Sequence, residues 1–131
     1  MILFIDDDPL QISYYVDELR ERRLRVVVAG SIEEARRWLM NETPSLVVLD
    51  VRLPQFAPGD LPRSEHEHVM VSGLNLLREI RQHDPTLPVI LFTAVFDVGP
   101  ASGLDSNTVL LRKEDTLPRE LADQVQALLS A

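Results

Sequence analysis

Three consecutive carboxylates, Asp6, Asp7 and Asp8, follow directly on the apolar run MILFI. Ionised carboxylates held about 4–5 Å apart repel each other by roughly 3–4 kcal/mol per pair at an effective dielectric constant of about 20. Such a cluster therefore needs a compensating cation. Oxygen ligands without a cysteine favour a hard divalent ion, Mg²⁺ or Mn²⁺, which keeps waters in its octahedral shell. The triplet thus predicts a metal site with room for a substrate oxygen.

Polar residues also stand at the ends of three later apolar runs. Asp50 ends SLVVLD, Thr93 lies near the end of PVILFTA, and Lys113 follows TVLLR. Each has an ordinary explanation by itself, since acids after strands often cap helices, threonine is common in strands, and an isolated lysine is usually solvated. Only their shared position at strand ends points specifically to a functional site. An aspartate beside a metal ion and a lysine can attack phosphorus, so the set indicates phosphoryl-accepting chemistry.

The elements that must position these residues follow a repeating pattern of strand and helix. Short apolar or β-branched runs alternate with segments of helical spacing. Runs such as SLVVLD and PVILFTA are apolar on both faces, which is typical of parallel strands covered by helices on each side and joined by right-handed crossovers. We therefore predict a doubly wound α/β domain, in which ligands collect beyond the carboxyl ends of the strands. The predicted strands are 2–5, 25–29, 46–50, 88–93 and 108–111.

Helix boundaries can be predicted from capping residues. Asp8 is placed to cap the first helix, with a proline in its first turn, and this helix should end near Arg23. Ser31 and Glu34 have the spacing of a capping box at the start of the second helix. The last helix is predicted to begin at about Thr116 and to reach the end of the sequence.

Two regions depart from the regular pattern. Residues 51–71 contain three prolines and mixed charge, which predicts a long inserted loop after the third strand. Residues 96–107 stand where a fourth helix is expected, yet they contain two glycines and a proline. That helix is predicted to be short or missing.

Length and composition limit the classes of protein to consider. The chain has 131 residues and 45% apolar content, which predicts one domain over 1–131. No apolar run approaches the roughly 18 residues of a membrane span, and the absence of cysteine fits a reducing, cytoplasmic compartment. The net charge of -8 disfavours direct binding to nucleic acid and favours a cation or a basic partner.

Four segments together resemble a known family. ILFIDDDP, LVVLDVRLP, VILFTA and LLRK occur in the order of the signatures of response-regulator receiver domains, the CheY-like phosphoaccepting modules of two-component signalling. The similarity extends over nearly the whole chain. It implies a five-stranded parallel sheet in the flavodoxin-like order 2-1-3-4-5.

The resemblance also implies a metal site. Asp6 and Asp7 would form the acidic pair, with Asp7 binding Mg²⁺ directly and Asp6 chiefly through water. Asp50 and the backbone carbonyl of Arg52 would complete the protein ligands. Asp8 falls outside this set and is expected to cap the first helix.

In the same family pattern, Asp50 would be the phosphorylated residue, with the hydroxyl of Thr93 and the ammonium of Lys113 contacting the phosphoryl group. The donor would be a phosphohistidine on a sensor histidine kinase or a histidine phosphotransfer protein. The domain would act as a signalling module that assists its own phosphorylation and dephosphorylation, and would not be an enzyme. A downstream protein and a homodimer formed through the last strand and helix are further expected partners, whereas nucleic acid and membrane are not.

The sequence departs from the family at several positions. Leu110 stands where the family usually has an aromatic residue whose rotation reports phosphorylation. Glu114 replaces the proline that commonly follows the lysine, so we expect a trans peptide bond and a reshaped loop, because a cis bond without proline costs about 3 kcal/mol. The loop over 51–71 is longer than the usual connection, and could cover the site, contact a partner or be a tolerated insertion.

These departures leave an alternative function open. Leu110 and Glu114 favour a degenerate receiver that acts as an interaction module without phosphorylation. The complete set of acidic, threonine and lysine residues opposes this interpretation, since a costly acidic cluster without a function would be expected to lose members. A metal-dependent phosphatase is less favoured because Arg52 occupies the position where such enzymes place a second acid. A flavin site is disfavoured because the first strand-to-helix turn is acidic.

Overall fold

The computed structural model describes residues 1–53, 72–94 and 104–131. It contains one sheet of five parallel strands in the order β2-β1-β3-β4-β5, which confirms the predicted flavodoxin-like topology. The strands are β1 (Ile2–Ile5), β2 (Val26–Ala29), β3 (Leu46–Leu49), β4 (Val89–Thr93) and β5 (Thr108–Arg112). The helices are α1 (Ser13–Glu21), α2 (Ile32–Asn41), α3 (Ser72–His83) and α4 (Pro118–Ser130).

Burial of both faces explains the apolar composition of the central strands. Every residue of β1, β3 and β4 is buried, whereas the edge strands β2 and β5 include partly exposed positions. Helices α1 and α4 pack on one face of the sheet, with Phe4, Val48 and Phe92 beneath them. Helices α2 and α3 pack on the other face, where Leu3 and Leu49 contribute to the core. Successive strand residues thus enter opposite cores, as the alternation of side chains requires.

The register of the central strands aligns their carboxyl ends. Ile5 of β1 lies opposite Leu49 of β3, and Leu49 lies opposite Leu91 of β4. Residues that follow these strands therefore emerge at the same edge of the sheet. This alignment fixes where polar side chains can meet.

Helix α1 begins later than the sequence predicts. Asp8 Oδ1 accepts a hydrogen bond from the Gln11 N–H at 3.1 Å, so Asp8 caps a turn that precedes the helix. The bond from the Ile12 N–H to the Asp8 carbonyl is long, at 3.4 Å, and regular helix starts only at Ser13. The predicted end is confirmed, because Arg23 has a φ of 64° just beyond the helix.

The start of α2 has the predicted cap with a different second bond. Ser31 Oγ accepts from the Glu34 N–H at 3.2 Å, as expected for a capping residue. The Glu34 carboxylate accepts from the N–H of Gly30 at 2.9 Å, one residue before the position that a capping box uses. Ser31 therefore caps the helix, and Glu34 anchors the chain that enters it.

Two sequence predictions fall largely outside the described residues. Most of the inserted loop predicted over 51–71 lies in 54–71, and most of the weak helix predicted over 96–107 lies in 95–103. Residues 104–107 form a turn into β5, in which the Asn107 N–H donates to Asp105 Oδ1 at 2.8 Å. Within the described ranges, no helix has the length and apolar character needed to span a membrane.

Candidate functional site

The predicted site residues that follow the strands lie at one edge of the sheet. Asp6 and Asp7 follow β1, and Asp50 follows β3. The backbone ladder continues into these positions, because the Asp6 N–H donates to the Ala29 carbonyl at 2.9 Å and the Asp50 N–H donates to the Ile5 carbonyl at 3.0 Å. The sheet itself therefore holds the backbone of both acids.

The three carboxylates form a compact group. One oxygen of each of Asp6, Asp7 and Asp50 lies within 4.8 Å of the others, a spacing that suits a shared metal ion. Asp6 is 1% exposed and Asp50 is 7% exposed, whereas Asp7 is an exposed residue. The acidic cluster expected from the sequence is thus present, with two buried members and one at the opening.

Lys113, the only lysine of the chain, bridges the two buried acids. Its Nζ atom lies 2.6 Å from Asp6 Oδ2 and 3.0 Å from Asp50 Oδ2. It also donates to Gln11 Oε1 at 2.9 Å. One ammonium therefore partly compensates three carboxylates.

The electrostatics of the pocket reflect this imbalance. Burial raises the pKa of Asp6 to about 6, although the ion pair with Lys113 opposes the rise. Burial also raises the pKa of Asp7, and the negative charge of Asp50 adds to that effect. For Lys113, burial would lower the pKa, but the paired carboxylates outweigh it and raise the pKa above its ordinary value. The pocket favours an additional positive charge.

The donor set fits a hard divalent ion. Asp6 Oδ2 is buried and receives no hydrogen bond of acceptable geometry, although the ammonium of Lys113 stands 2.6 Å away as an ion pair. The other oxygens are oriented by backbone groups, since the Asp8 N–H donates to Asp6 Oδ1 at 2.9 Å and the Arg52 N–H donates to Asp50 Oδ1 at 3.1 Å. Carboxylate oxygens are the ligands that Mg²⁺ prefers, so the residues present suit that ion. A role for the Arg52 carbonyl stays a prediction.

Thr93 is the last residue of β4 and is fully buried. Its position at the carboxyl edge agrees with the sequence, and the contact of its hydroxyl with a phosphoryl group stays a prediction. Leu110 is half-buried on β5 and packs against the core under α2 and α3. An aliphatic side chain at this place offers no aromatic ring for a rotating switch.

The loop after Lys113 has the trans backbone that the sequence predicts. Lys113–Asp115 form a turn of 3₁₀-helix, and no cis peptide bond occurs among the described residues. The Lys113–Glu114 bond is therefore trans, as expected for a residue pair without proline.

Three residues near the site were not identified from the sequence. Gln11 contacts Lys113, the hydroxyl of Tyr15 reaches the loop after β5, and Gly73 lies against the backbone that follows β3. The Gly73 N–H donates to the Val51 carbonyl at 3.0 Å. The position of Gly73 beside the start of a helix could have indicated its role. The contacts of Gln11 and Tyr15 could not be predicted, because they join residues about 100 positions apart.

Together, the parallel sheet and its acidic edge define a flavodoxin-like α/β domain with a site suited to a divalent cation. The family model for the response regulator receiver domain matches residues 2–102. The chain belongs to this family. Its resemblance to the family, first indicated by four short segments, is thereby confirmed.

The chain is similar to several known proteins. It is 31% identical over 93 residues to the probable transcriptional regulatory protein TcrX of Mycobacterium tuberculosis, covering 71% of this chain and 33% of that protein. It is 32% identical over 114 residues to the transcriptional regulatory protein AfsQ1 of Streptomyces coelicolor, covering 83% of this chain and 43% of that protein. The chain thus spans between one third and one half of the length of these relatives.

Among solved structures, the chain is similar to the response regulator protein TrrA of Thermotoga maritima, which was solved in complex with Mg²⁺ and a beryllium fluoride. The two chains are 25% identical and superpose with a TM-score of 0.68, over 97% of this chain and 96% of that chain. A response regulator from Chloroflexus aurantiacus is 26% identical, with a TM-score of 0.75 over 99% of this chain and 97% of that chain.

Proposed function

We propose that this receiver domain accepts a phosphoryl group on Asp50 from a phosphohistidine of a sensor histidine kinase or a histidine phosphotransfer protein, with Mg²⁺ bound. The observation that carries the proposal is the position of the Asp50 carboxylate, buried at the sheet edge, within 4.8 Å of two other acids and 3.0 Å from the Lys113 ammonium. An uncompensated carboxylate there would be costly, and a divalent ion held by these acids would balance its negative charge. The magnesium and beryllium fluoride bound to TrrA support this assignment.

Five residues have distinct roles in the proposed phosphoryl transfer. A carboxylate oxygen of Asp50 attacks phosphorus, a new P–O bond forms, the P–N bond of the phosphohistidine breaks, and its electron pair stays with the imidazole. Bound Mg²⁺ supplies positive charge to the phosphoryl oxygens. Asp6 and Asp7 hold the ion, Lys113 keeps an ammonium beside the acceptor, and the hydroxyl of Thr93 donates to the transferred group.

In this proposal the domain is a signalling module and does not turn over a substrate. It assists its own phosphorylation and dephosphorylation through the residues that surround Asp50. We further propose that it acts in the cytoplasm, that its state is recognised by a downstream protein, and that a homodimer is an additional form. Direct binding to nucleic acid is not part of the proposal, because the net charge is -8.

Intact-protein mass spectrometry tests the acceptor. After incubation with acetyl phosphate and Mg²⁺, the wild-type chain should gain the mass of one phosphoryl group, and Asp50→Asn should gain none. Asp17→Asn is a matched control, since Asp17 is an exposed acid on α1, and it should behave as wild type. Equal labelling of Asp50→Asn and wild type would show that another residue is the acceptor.

A second candidate function is a phosphorylation-independent interaction module. It is favoured by Leu110, whose aliphatic side chain on β5 cannot act as an aromatic switch. A chain that binds Mg²⁺ but gains no phosphoryl group from either acetyl phosphate or a phosphorylated histidine phosphotransfer protein would support this candidate over the first.

A further inference from the structure

The loop that carries Lys113 is hydrogen-bonded to a side chain of α1. The Tyr15 hydroxyl donates to the Thr116 carbonyl at 2.6 Å and also lies 3.3 Å from the Lys113 carbonyl. These two carbonyls stand at the two ends of the 3₁₀ turn that follows β5. A single hydroxyl on a neighbouring helix thus contacts both ends of the lysine loop.

Tyr15 is itself held in place by the core. Its ring packs edge-on against Phe92, with 4.8 Å between the ring centroids and an interplanar angle of 67°. Phe92 is fully buried, and the Lys113 ammonium lies 5.9 Å from the centre of the same ring. Burial raises the pKa of Tyr15, so its hydroxyl stays protonated and remains a donor. The tyrosine is therefore a fixed point beside the lysine side chain.

The loop has little internal support. Glu114 follows the lysine where a proline would restrict the backbone, and the bond that closes the turn, from the Thr116 N–H to the Lys113 carbonyl, is 3.5 Å long. The 2.6 Å bond from Tyr15 is much shorter and comes from an element with a well-packed core. The hydrogen bond from Tyr15 is therefore stronger than the one that closes the turn within the loop.

We propose that Tyr15 is a positioning residue, whose hydroxyl holds the loop after β5 so that the Lys113 ammonium reaches Asp50 and a phosphoryl group on it. This inference rests on the proposed function. Without the hydroxyl, the loop gains conformational freedom, and the lysine spends less time beside the acceptor. The acids follow other strands and keep their positions, so Mg²⁺ binding should not weaken when the Tyr15 hydroxyl is removed.

The variant Tyr15→Phe tests the inference because it removes the hydroxyl and keeps the ring against Phe92. Calorimetry with Mg²⁺ alone and with Mg²⁺ plus beryllofluoride separates the two ligands. We expect the affinity for beryllofluoride to fall by about three- to tenfold, the range for one lost hydrogen bond. Mg²⁺ affinity should stay the same or rise slightly, because a less firmly held Lys113 competes less with the ion. Tyr14→Phe is the matched control, since Tyr14 is 75% exposed, and it should match wild type in both titrations.

Two further measurements show whether Tyr15 acts through Lys113. In the Lys113→Ala background, Tyr15→Phe should cause no additional loss of beryllofluoride affinity, because the residues then no longer act together. As the only lysine, Lys113 gives a single side-chain ammonium signal in lysine-labelled protein. That signal should weaken through faster exchange with water in Tyr15→Phe and should be unchanged in Tyr14→Phe.

The outcomes separate the inference from the function on which it rests. If the wild-type chain binds no beryllofluoride in the presence of Mg²⁺, the proposed function fails whatever Tyr15 does. If wild type binds it and Tyr15→Phe binds it equally well, the positioning role is wrong and the function stands. A parallel loss of Mg²⁺ affinity, beryllofluoride affinity and thermal stability would assign Tyr15 a purely structural role and would also overturn the inference.

Discussion

Adjacent aspartates in this chain have different environments, because successive side chains leave the end of a strand in opposite directions. Asp6 is 1% exposed and ion-paired with Lys113, whereas Asp7 is exposed at the opening of the pocket. Asp8 accepts a hydrogen bond from the turn that precedes α1. Residue type alone therefore does not distinguish a buried acid from a capping acid in the same triplet.

The Lys113 ammonium is paired with two of the carboxylates that would bind a metal ion, so it would compete with that ion. The ammonium lies within 3.0 Å of carboxylate oxygens of both Asp6 and Asp50. We expect Lys113→Met to increase Mg²⁺ affinity by at least about tenfold, because two positive charges a few ångströms apart repel by several kcal/mol at an effective dielectric constant of about 20. The same variant should bind beryllofluoride more weakly. Calorimetric titration at pH 8 measures both affinities.

Arg119→Met is the control for this prediction, because it removes one positive charge from an exposed position on α4. Its Mg²⁺ affinity should stay within about twofold of wild type, since exposed charges are screened. An equal effect of the two substitutions on Mg²⁺ would show that the Lys113 ammonium does not compete with the ion.

At the scale of elements, the site depends on how closely α3 approaches the chain after β3. A Cβ atom on Gly73 would lie 2.1 Å from the Asp50 carbonyl oxygen and 2.7 Å from the Val51 Cα atom. Both are backbone atoms, so neither can move away as a flexible side chain would. The absence of a side chain at Gly73 allows the start of α3 to hydrogen-bond to the segment that carries the acceptor.

We therefore expect Gly73→Ala to lower the free energy of unfolding by about 2 kcal/mol or more, because the backbone around Asp50 must shift. Mg²⁺ affinity should fall with it. Gly30→Ala is the matched control, since a Cβ atom there would meet nothing closer than 3.7 Å, and it should change stability by less than about 1 kcal/mol. Urea denaturation of both variants measures the difference, and equal stabilities would contradict the role of Gly73.

The strands and their common edge could be predicted from the sequence, because a strand buried on both faces is apolar at nearly every position, as LVVL and VILF are. The start of α1 could not be predicted, because an aspartate such as Asp8 caps a short turn in the same way as it caps a helix. The contacts of Tyr15 and Gln11 with the lysine loop join residues about 100 positions apart. They follow from how α1 packs on the sheet, which local patterns do not specify.

At the scale of the whole molecule, the carboxylates of the acidic pocket are part of the chain's net charge of -8. If Mg²⁺ binds there as proposed, folding and Mg²⁺ binding are interdependent, because a metal that binds only the folded chain stabilises it. Its relatives TcrX and AfsQ1 are two to three times as long as the part that it matches.

The buried acid Asp6 links stability to pH. Its pKa is about 6 in the folded chain, raised by burial, compared with an ordinary value of about 3.9 in an unfolded chain. Between these values the folded chain binds more protons, so the free energy of unfolding falls as pH rises from about 4 to about 6. At about 1.4 kcal/mol per pKa unit, the loss is on the order of 2 to 3 kcal/mol. Although burial opposes the change, the hydrogen bond from Arg81 lowers the pKa of Asp105. Asp105 therefore makes the free energy of unfolding rise with pH, but only at more acidic pH.

We expect urea denaturation without Mg²⁺ to show that the wild-type chain is more stable at pH 5 than at pH 7.5, because ionised Asp6 is costly to bury. Saturating Mg²⁺ should reverse this trend, since the ion binds the ionised carboxylates of the folded chain. Asp6→Asn should be more stable than wild type at pH 7.5 in the absence of Mg²⁺ and should gain much less from the ion. Asp17→Asn, which removes an exposed acid, should follow the wild-type profile. Parallel profiles for wild type and Asp6→Asn would show that Asp6 does not carry the pH dependence.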